Sequence, residues 1–301
     1  MADAVILVTG ATGFVGRRLV RRLAAAGRTV RCLLRPSRRS PRLPKGVPVQ
    51  VAVASLEDER GLRSALVGVE TLIHVAGAEW QEQHLIAEAA RTRVLLGAAR
   101  EARVGRAIYL SHLGADRASA YPVLKAKGIA EEFVRQSGVP YTIVRSALLF
   151  GEEDLFVNGL VRWLKLAPGF FPLPGGGDAV LQPFWVEDLT HCLERCVGET
   201  GVVNQTISLG GPEYLTFNQM VQVILETLRL KRVLVPVRPV WLRTAGALFS
   251  TVWPRSALSL RWLDYLAVNR TCETISVPRY FGLRPARFSP QTLAYLRPAR
   301  H

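Results

Sequence analysis

The sequence lacks the patterns typical of metal-binding, disulfide-stabilised or membrane-spanning chains. Its cysteines, Cys32, Cys192, Cys196 and Cys272, have the spacing of neither a zinc site nor a disulfide framework. No apolar run reaches the roughly 18 residues that a membrane span requires. The chain also enters an apolar segment at Val5 with no leader pattern before it. We therefore expect reduced thiols, no bound metal and a cytoplasmic location.

Acidic residues and lysines are both scarce relative to arginine. Among 301 residues, 39 are Lys or Arg and 24 are Asp or Glu, so the formal net charge is +15. A charge of this sign attracts anionic partners, such as a phosphorylated cofactor, an acidic protein, nucleic acid or an anionic membrane surface. The chain has no nucleic-acid-binding motif and no alternation of aromatic and basic residues. We therefore expect no nucleic-acid partner.

Glycines, in contrast, are placed with clear regularity near the N-terminus. The β-favouring run Val5–Thr9 leads into Gly10-x-x-Gly13-x-x-Gly16, and an amphipathic helix is predicted from Phe14 to Ala26. Gly27 is suited to end that helix with a positive φ, and Thr29–Leu34 is predicted to be the next buried strand. Such a strand, turn and helix bring backbone N–H groups and a helix N-terminus to a pyrophosphate. The predicted contacts are Gly10, Thr12, Gly13, Phe14, Val15 and Gly16.

The segment Thr9–Gly16 reads Thr-Gly-Ala-Thr-Gly-Phe-Val-Gly. It resembles the signature of the extended and atypical branches of the short-chain dehydrogenase/reductase superfamily. This resemblance implies a nicotinamide dinucleotide as ligand. The alternative is a strand-to-helix turn whose glycines serve packing alone.

The residue after the second strand indicates which nucleotide is bound. NAD-selective Rossmann domains place an acid there, to hold the ribose 2′-hydroxyl. This chain has Arg35 instead, followed by Arg38, Arg39, Arg42 and Lys45 with no acid among them. A guanidinium pairs with a 2′-phosphate, whereas a carboxylate repels it. We therefore expect NADP(H) in preference to NAD(H), with Arg35 as the contact, although a solvated basic loop is the alternative for most of these charges.

Strands and helices continue to alternate along the next hundred residues. Strands are predicted at 47–54, 71–75, 106–111 and 141–145, and helices at 56–66, 82–102 and 128–137. This rhythm predicts an α/β fold with a doubly wound parallel sheet, that is, a Rossmann fold. Ser55 and Leu56 follow the third strand, where the related families contact adenine. The turn His74-Val75-Ala76-Gly77 resembles their ribose-packing turn; Val75, Ala76 and Gly77 are predicted contacts, and His74 is interpreted as structural.

The catalytic residues of the superfamily are only partly present. Active members use a Ser, and a Tyr and a Lys spaced Tyr-x-x-x-Lys, so that both lie on one side of a helix. Tyr121 and Lys125 have that spacing, but Pro122 is poorly suited to the middle of a helix that would present Tyr121. Lys127-Gly128-Ile129-Ala130-Glu131-Glu132 resembles the family's continuation after its functional lysine, and this register puts Val123 at the tyrosine position. Ser111 ends a predicted strand, as the family serine does.

Two interpretations follow for these three candidates, Ser111, Tyr121 and Lys127. In the favoured one, Lys127 holds the nicotinamide ribose and no carbonyl chemistry occurs. In the other, Tyr121 and Lys125 form a displaced catalytic pair. A junction of loop and helix with surface lysines is the structural alternative.

The chain divides into a dinucleotide-binding domain, residues 1–150, and a smaller C-terminal α/β region, residues 151–301. Within the second region, residues 180–210 are predicted to return to the Rossmann core, with Asp188 capping a helix at 189–197. Thr216 is predicted to cap a helix that runs through Leu228.

Residues 236–266 combine tryptophans, aliphatic residues and arginines. This composition suits a membrane interface or a docking face for a partner protein. The alternative is a substrate-domain core with its arginines pointing outward.

Two further segments sharpen the resemblance to the atypical branch. Residues 111–116 and 138–145 resemble NmrA-like proteins, the nucleotide-binding accessory subunit of respiratory complex I and photosystem assembly factors, and residues 276–285 resemble bacterial relatives of the complex I subunit. The resemblance implies an accessory or assembly protein of a membrane redox complex, with little or no catalysis and with peripheral membrane attachment as one location. Alternatives are an NADPH-dependent reductase or epimerase acting on a small carbonyl or sugar nucleotide, and an NmrA-like redox sensor.

Overall fold

The computed structural model describes residues 4–38, 40, 42–77, 82–167, 169–238, 240–242, 265–267 and 270–297. Its regular elements, in chain order up to the end of the main sheet's sixth strand, are β1 (Val5–Thr9), α1 (Phe14–Ala25), β2 (Thr29–Leu34), β3 (Gln50–Val53), α2 (Glu59–Ala65), β4 (Val69–His74), α3 (Glu82–Glu101), β5 (Arg106–His112), α4 (Pro122–Gln136) and β6 (Tyr141–Ser146). The remaining elements are β7 (Leu148–Phe150), α5 (Phe156–Leu166), β8 (Phe170–Pro174), β9 (Val180–Leu181), β10 (Pro183–Trp185), α6 (Val186–Gly198), β11 (Gln205–Leu209), β12 (Leu215–Thr216), α7 (Phe217–Leu228), β13 (Val233–Val237) and α8 (Ser276–Phe281).

One compact unit comprises residues 1–146, 186–209 and 279–281. It contains a seven-stranded sheet in the order β11-β6-β5-β4-β1-β2-β3, and every neighbouring pair of strands is parallel. Helix α1 packs against α6, while α3 packs against both α2 and α4. This arrangement confirms the predicted doubly wound Rossmann fold. The strand order reverses between β1 and β4, which is where such sheets bind ligands.

The apolar core of this unit lies between the sheet and helices α2, α3 and α4. Leu7, Leu72 and Ile143 are fully buried within it, together with Leu95 of α3 and Val134 of α4. Parallel strands need apolar side chains on both faces because helices cover both. The apolar runs Val5–Val8 of β1 and Ala107–Leu110 of β5 meet that requirement.

The other compact unit comprises residues 147–185, 210–278 and 282–301. Three short strand pairs form its sheets: β7 with β10 and β8 with β13 are parallel, and β9 with β12 is antiparallel. Asp154 fixes the chain ahead of α5, because its carboxylate accepts from the backbone N–H groups of Gly151 and Val157. Burial raises the pKa of Asp154 to about 6.

Two helix boundaries differ from the prediction for identifiable reasons. Helix α4 begins at Pro122 and not at Gly128, since Pro122 occupies the first turn, where a proline costs no hydrogen bond. Helix α6 begins at Val186, directly after β10, so the predicted cap Asp188 is wrong. Asp188 and Glu187 lie in the first turn instead, where acids interact favourably with the helix dipole.

Two predicted boundary residues are confirmed. Gly27 has a φ of +72° after the end of α1. Thr216 caps α7 through a complete capping box, in which its hydroxyl accepts from the N–H of Gln219 and the Gln219 side chain accepts in return from the N–H of Thr216. Within the described part of the chain, no helix has the length and apolar character needed to cross a membrane.

Candidate functional site

The glycine turn between β1 and α1 is shaped by close backbone contacts. Gly10 has a φ of +74°, and a Cβ atom there would lie 2.7 Å from the amide nitrogen of Ala76. A Cβ atom on Gly16 would lie 2.0 Å from the carbonyl oxygen of Gly10. Gly10 therefore accommodates the loop after β4, and Gly16 allows α1 to approach the turn. Both requirements arise before any ligand is considered.

The N-terminus of α1 is open to a negatively charged group. The N-cap residue Gly13 has no side chain that could cap the helix, and the first turn contains no acid. Thr12 and Gly13 are exposed, Phe14 and Val15 are half-buried, and the N–H of Gly13 donates to Gly10 across 2.9 Å. The first N–H groups of a helix and its dipole together favour a phosphate at this position.

The other predicted cofactor contacts lie at the same edge of the sheet. Because β1 to β4 are parallel, their carboxyl ends bring Arg35, Ser55 and the loop Val75–Gly77 to the side where the glycine turn lies. The N–H of Val75 donates to the carbonyl of Thr9, which holds that loop beside the turn.

The basic side chains after β2 point to the solvent. Arg35 follows directly after the last residue of β2, and both Arg35 and Arg38 are exposed. The predicted second choice Arg39 lies outside the described residues. An exposed guanidinium next to the glycine turn is available to a phosphate.

Ser55 and Leu56 occupy a turn between β3 and α2. The hydroxyl of Ser55 accepts from the N–H of Glu57 at 3.3 Å, and Leu56 packs against the core. Asp58 then caps α2 by accepting from the N–H of Gly61. The turn is therefore fixed by its own side chains.

His74 is buried in a directed series of hydrogen bonds. The Thr92 hydroxyl donates to the carbonyl of Glu88 at 2.9 Å, so it accepts from His74 Nε2 at 3.1 Å. The remaining ring nitrogen, Nδ1, accepts from the Thr9 hydroxyl. Burial, with a smaller contribution from the charge of Lys127, lowers the pKa of His74 to about 4. The ring is therefore neutral near pH 7 and joins β1, β4 and α3, as expected of a structural residue.

Lys127 is buried and forms an ion pair with Glu88. Its Nζ atom lies 3.0 Å from Glu88 Oε1 and 3.4 Å from the Leu110 carbonyl oxygen, and the two side chains are 8% and 13% exposed. The same ammonium lies 5.1 Å from the ring centre of Tyr109. Burial raises the pKa of Tyr109 to about 12, so its hydroxyl stays protonated.

Ser111 faces the same helix one turn further on. Its hydroxyl donates to Glu131 Oε1 at 2.7 Å, and both residues are buried. Glu131 also pairs with Arg145 at 2.6 Å and with Arg135 at 2.7 Å. The serine proton is therefore held by a carboxylate that two arginines already balance.

Tyr121 and Lys125 are not placed like a catalytic pair. Tyr121 is the N-cap residue of α4, and its carbonyl accepts from the N–H of Lys125, whose side chain is exposed. One turn before the buried Lys127 stands Val123, which carries no proton to donate. The structure thus brings together Ser111, Lys127 and the loop Val75–Gly77, and it leaves Lys125 in solvent.

Two acids of this region, the buried Glu131 and the partly buried Glu88, were not among the residues predicted from sequence. Glu131 lies within the Lys-x-x-x-Glu-Glu string at residues 127–132, so a local signal for it is present in the sequence. Glu88 lies on α3, and its pairing with Lys127 joins positions 39 residues apart in sequence. No local pattern gives such a contact.

Most of the predicted docking segment 236–266 lies outside the described residues. In its described part, Val240 and Trp241 are exposed and Tyr265 is buried. The paired strands β8 and β13 carry further apolar residues on their outer face, with Phe170 beside Val233. The exposed fractions of these two residues are 55% and 66%.

Comparison with known proteins agrees with this geometry. Residues 10–155 match a family model described as NAD(P)H-binding. The mitochondrial NADH dehydrogenase [ubiquinone] 1 alpha subcomplex subunit 9 of Arabidopsis thaliana is 32% identical over 238 residues, which is 76% of this chain and 59% of that protein. The photosystem II assembly factor Ycf39 of Cyanophora paradoxa is 30% identical over 142 residues, or 46% of this chain and 44% of that protein.

Among solved structures, the triphenylmethane reductase of a Citrobacter species complexed with NADP(H) has the same fold. The TM-score is 0.77 at 21% identity, covering 96% of this chain and 99% of that one. These matches confirm the predicted resemblance to NAD(P)-binding proteins and to the complex I accessory subunit. The chain spans about three fifths of the length of the curated subunit 9 relatives it matches first.

Proposed function

We propose that this protein binds NADP(H) at the carboxyl edge of its parallel sheet and serves as an accessory or assembly subunit of a membrane redox complex, with little or no turnover. One observation carries the proposal. A complete dinucleotide turn is combined with a buried lysine that is paired with Glu88 and has Val123, not a tyrosine, one turn before it.

The position of Arg35 supports NADP(H) over NAD(H). Its side chain is exposed directly after β2, the strand that pairs with β1 ahead of the glycine turn. A 2′-phosphate at that position gains a charge-assisted hydrogen bond from Arg35, whereas a free 2′-hydroxyl gains much less. The absence of acids from residues 35–46 removes the group that would favour NAD(H).

The surroundings of the superfamily's catalytic positions argue against carbonyl reduction. Reduction needs a group that delivers a proton to the carbonyl oxygen as hydride arrives at carbon. Val123 cannot supply one, Ser111 donates to Glu131, and burial holds the pKa of Tyr109 near 12. The bound nucleotide then serves as a structural ligand that stabilises the folded chain by mass action.

The apolar face formed by β8 and β13 supports a role in docking. It includes Phe170, Val233 and Val235, and Val240 and Trp241 follow it along the chain. Residues 229–242 contain Arg229, Lys231, Arg232 and Arg238 and no acid. We assign this face to a protein surface with an apolar centre and an acidic rim, because an exposed apolar patch with charges of one sign around it suits such a partner.

The first experiment is to purify the protein, denature it and identify any released nucleotide by mass spectrometry, with NADPH and NADH titrated in parallel. We expect NADPH or NADP⁺ to be released and NADPH to bind more tightly than NADH. Incubation of the loaded protein with small aldehydes, quinones and sugar nucleotides should leave the NADPH absorbance unchanged. Absence of binding by either nucleotide would refute the cofactor assignment, and steady NADPH consumption would refute the accessory role.

A reductase is the second candidate function, because Tyr121 is half-buried at the start of α4 and keeps the Tyr-x-x-x-Lys spacing with Lys125. If the protein is a reductase, it should consume NADPH, and Tyr121→Phe should abolish that turnover. Lys127→Met would then lower nucleotide affinity, whichever of the two functions is correct.

A further inference from the structure

The ion pair of Lys127 and Glu88 lies directly beneath the loop that follows β4. A Cβ atom placed on Gly77 would lie 3.1 Å from Lys127 Nζ and 3.1 Å from Glu88 Oε1. Gly77 itself is exposed. A residue without a side chain therefore separates the charged pair from the edge of the sheet where the glycine turn lies.

The pair is on the opposite side of the glycine turn from Arg35. Arg35 follows β2, whereas Gly77 follows β4, and β1 with its glycine turn lies between these two strands. A dinucleotide whose pyrophosphate lies at the turn spreads its two riboses to the two sides. The ribose near Arg35 carries the 2′-phosphate, so the ribose near Gly77 is the one with two free hydroxyl groups.

A vicinal diol requires acceptors as well as donors. Each of its hydroxyl groups brings one proton to donate and lone pairs that accept. The Lys127 ammonium can only donate, whereas the Glu88 carboxylate can only accept, so the adjacent atoms complement a diol. Lysine alone would leave the hydroxyl protons without an acceptor, and a buried donor without a partner is costly.

We propose that Glu88 is a ribose-recognition residue, which accepts from the free diol of the dinucleotide while Lys127 donates to it. This inference rests on the proposed binding of NADP(H). It assigns Glu88 a role in selecting the nicotinamide half of the ligand, separate from the 2′-phosphate contact of Arg35.

The test compares two ligands on the same variants. NADPH carries both riboses, whereas 2′,5′-ADP carries only the adenosine half with its 2′-phosphate. Glu88→Gln keeps the shape of the side chain but removes its charge and one acceptor. We expect this substitution to lower the affinity for NADPH about tenfold in calorimetric titration, which is the effect of losing one charged hydrogen bond. The affinity for 2′,5′-ADP should stay within about twofold of the wild-type value.

A matched control is available on α4. Glu132→Gln removes one acid that lies outside the Lys127–Glu88 pair and contacts the exposed Arg117, so it should leave the two affinities unchanged. Glu88→Asp retains the carboxylate and should recover part of the NADPH affinity that Glu88→Gln loses. It also keeps the test decisive if Glu88→Gln folds poorly.

The possible outcomes separate the two proposals. If wild-type protein binds neither ligand, the proposed function fails. Suppose that the wild-type protein binds NADPH. If Glu88→Gln then binds NADPH equally well, or loses affinity for NADPH and 2′,5′-ADP to the same extent, only the role of Glu88 in ribose recognition is refuted. Equal weakening would mean that the pair serves the fold alone.

Discussion

At the scale of single residues, we propose that Arg35 sets the preference for NADP(H) over NAD(H). Arg35→Ala should lower NADPH affinity about tenfold or more, since a charge-assisted hydrogen bond contributes roughly 1.5–3 kcal/mol. NADH affinity should change little, because NADH has no 2′-phosphate for the guanidinium to bind. Fluorescence titration of both nucleotides measures the effect, with Arg42→Ala as control from the same basic loop. Parallel loss of NADH and NADPH affinity would assign Arg35 to the fold instead.

His74 gives the protein a specific sensitivity to acid. Its pKa is about 4 in the folded protein and 6.5 in an unfolded chain, so the unfolded chain binds more protons between those values. Stability is therefore full above about pH 6.5 and falls as the pH decreases toward 4, by roughly 3 kcal/mol from this group.

The measurement is urea unfolding at pH 7, 6, 5 and 4 for the wild type and for His74→Gln. A glutamine side chain can accept from Thr9 and donate to Thr92 without titrating. The wild type should lose about 3 kcal/mol more than the variant across this range. If the free energy of unfolding changed with pH equally in the two proteins, the imidazole would have the same pKa in the folded and the unfolded chain.

At the scale of elements, the approach of α1 to β1 depends on Gly16. Gly16→Ala would place a methyl group 2.0 Å from the Gly10 carbonyl oxygen, so α1 would have to move away from the turn. We expect a loss of at least about 3 kcal/mol in the free energy of unfolding, together with loss of nucleotide binding.

Gly97→Ala on α3 is the matched control, since a Cβ atom there meets nothing within 4 Å. Alanine is the better helix former, so this variant should gain about 0.5–1 kcal/mol. Urea unfolding measures both variants. Similar effects of the two substitutions would contradict the argument from close packing.

The elements differ in how well their sequence predicts them. Strands β1 to β6 and helix α1 lie within a few residues of their predicted bounds, because apolar runs and glycine turns are local signals. Helix α4 was predicted to begin six residues too late, since Pro122 looked like an interruption when it is the first helical residue. Helix α6 follows β10 with no loop between them, so no turn residue marks its start.

At the scale of the whole molecule, docking should depend on the outer face of β8 and β13. Val233→Glu introduces a negative charge into a patch surrounded by arginine and lysine, so it should displace a partner with an acidic rim. Membranes from the source organism, solubilised mildly and separated on native gels, should show the wild-type chain at the size of a large membrane complex, and the variant mostly as free protein. Val67→Glu is the control, since Val67 is an exposed apolar residue of the Rossmann unit. Equal loss with both variants, or none with either, would contradict docking through this face.

The candidate site could be predicted from sequence only in part. Its glycine turn and Arg35 are read from consecutive residues, and Lys127 from a string of six. The partners of Lys127 and Ser111 could not be read in this way, because Glu88 and Glu131 reach them through the packing of α3 and α4 on the sheet. The partner of each buried polar or charged side chain is therefore determined by the tertiary structure and not by a local sequence pattern.

The hydrogen-bonded series around His74 has one further consequence. It runs in a single direction, from the Thr9 hydroxyl through the imidazole and Thr92 to the Glu88 carbonyl, and a carbonyl cannot pass a proton on. The series therefore cannot relay a proton beneath this edge of the sheet. Reversing the direction of any one of its hydrogen bonds would require reversing all of them. The backbone carbonyl of Glu88 accepts the last hydrogen bond of this neutral series, while its side chain pairs with Lys127. A single residue of α3 therefore contacts both the neutral series around His74 and the charged pair.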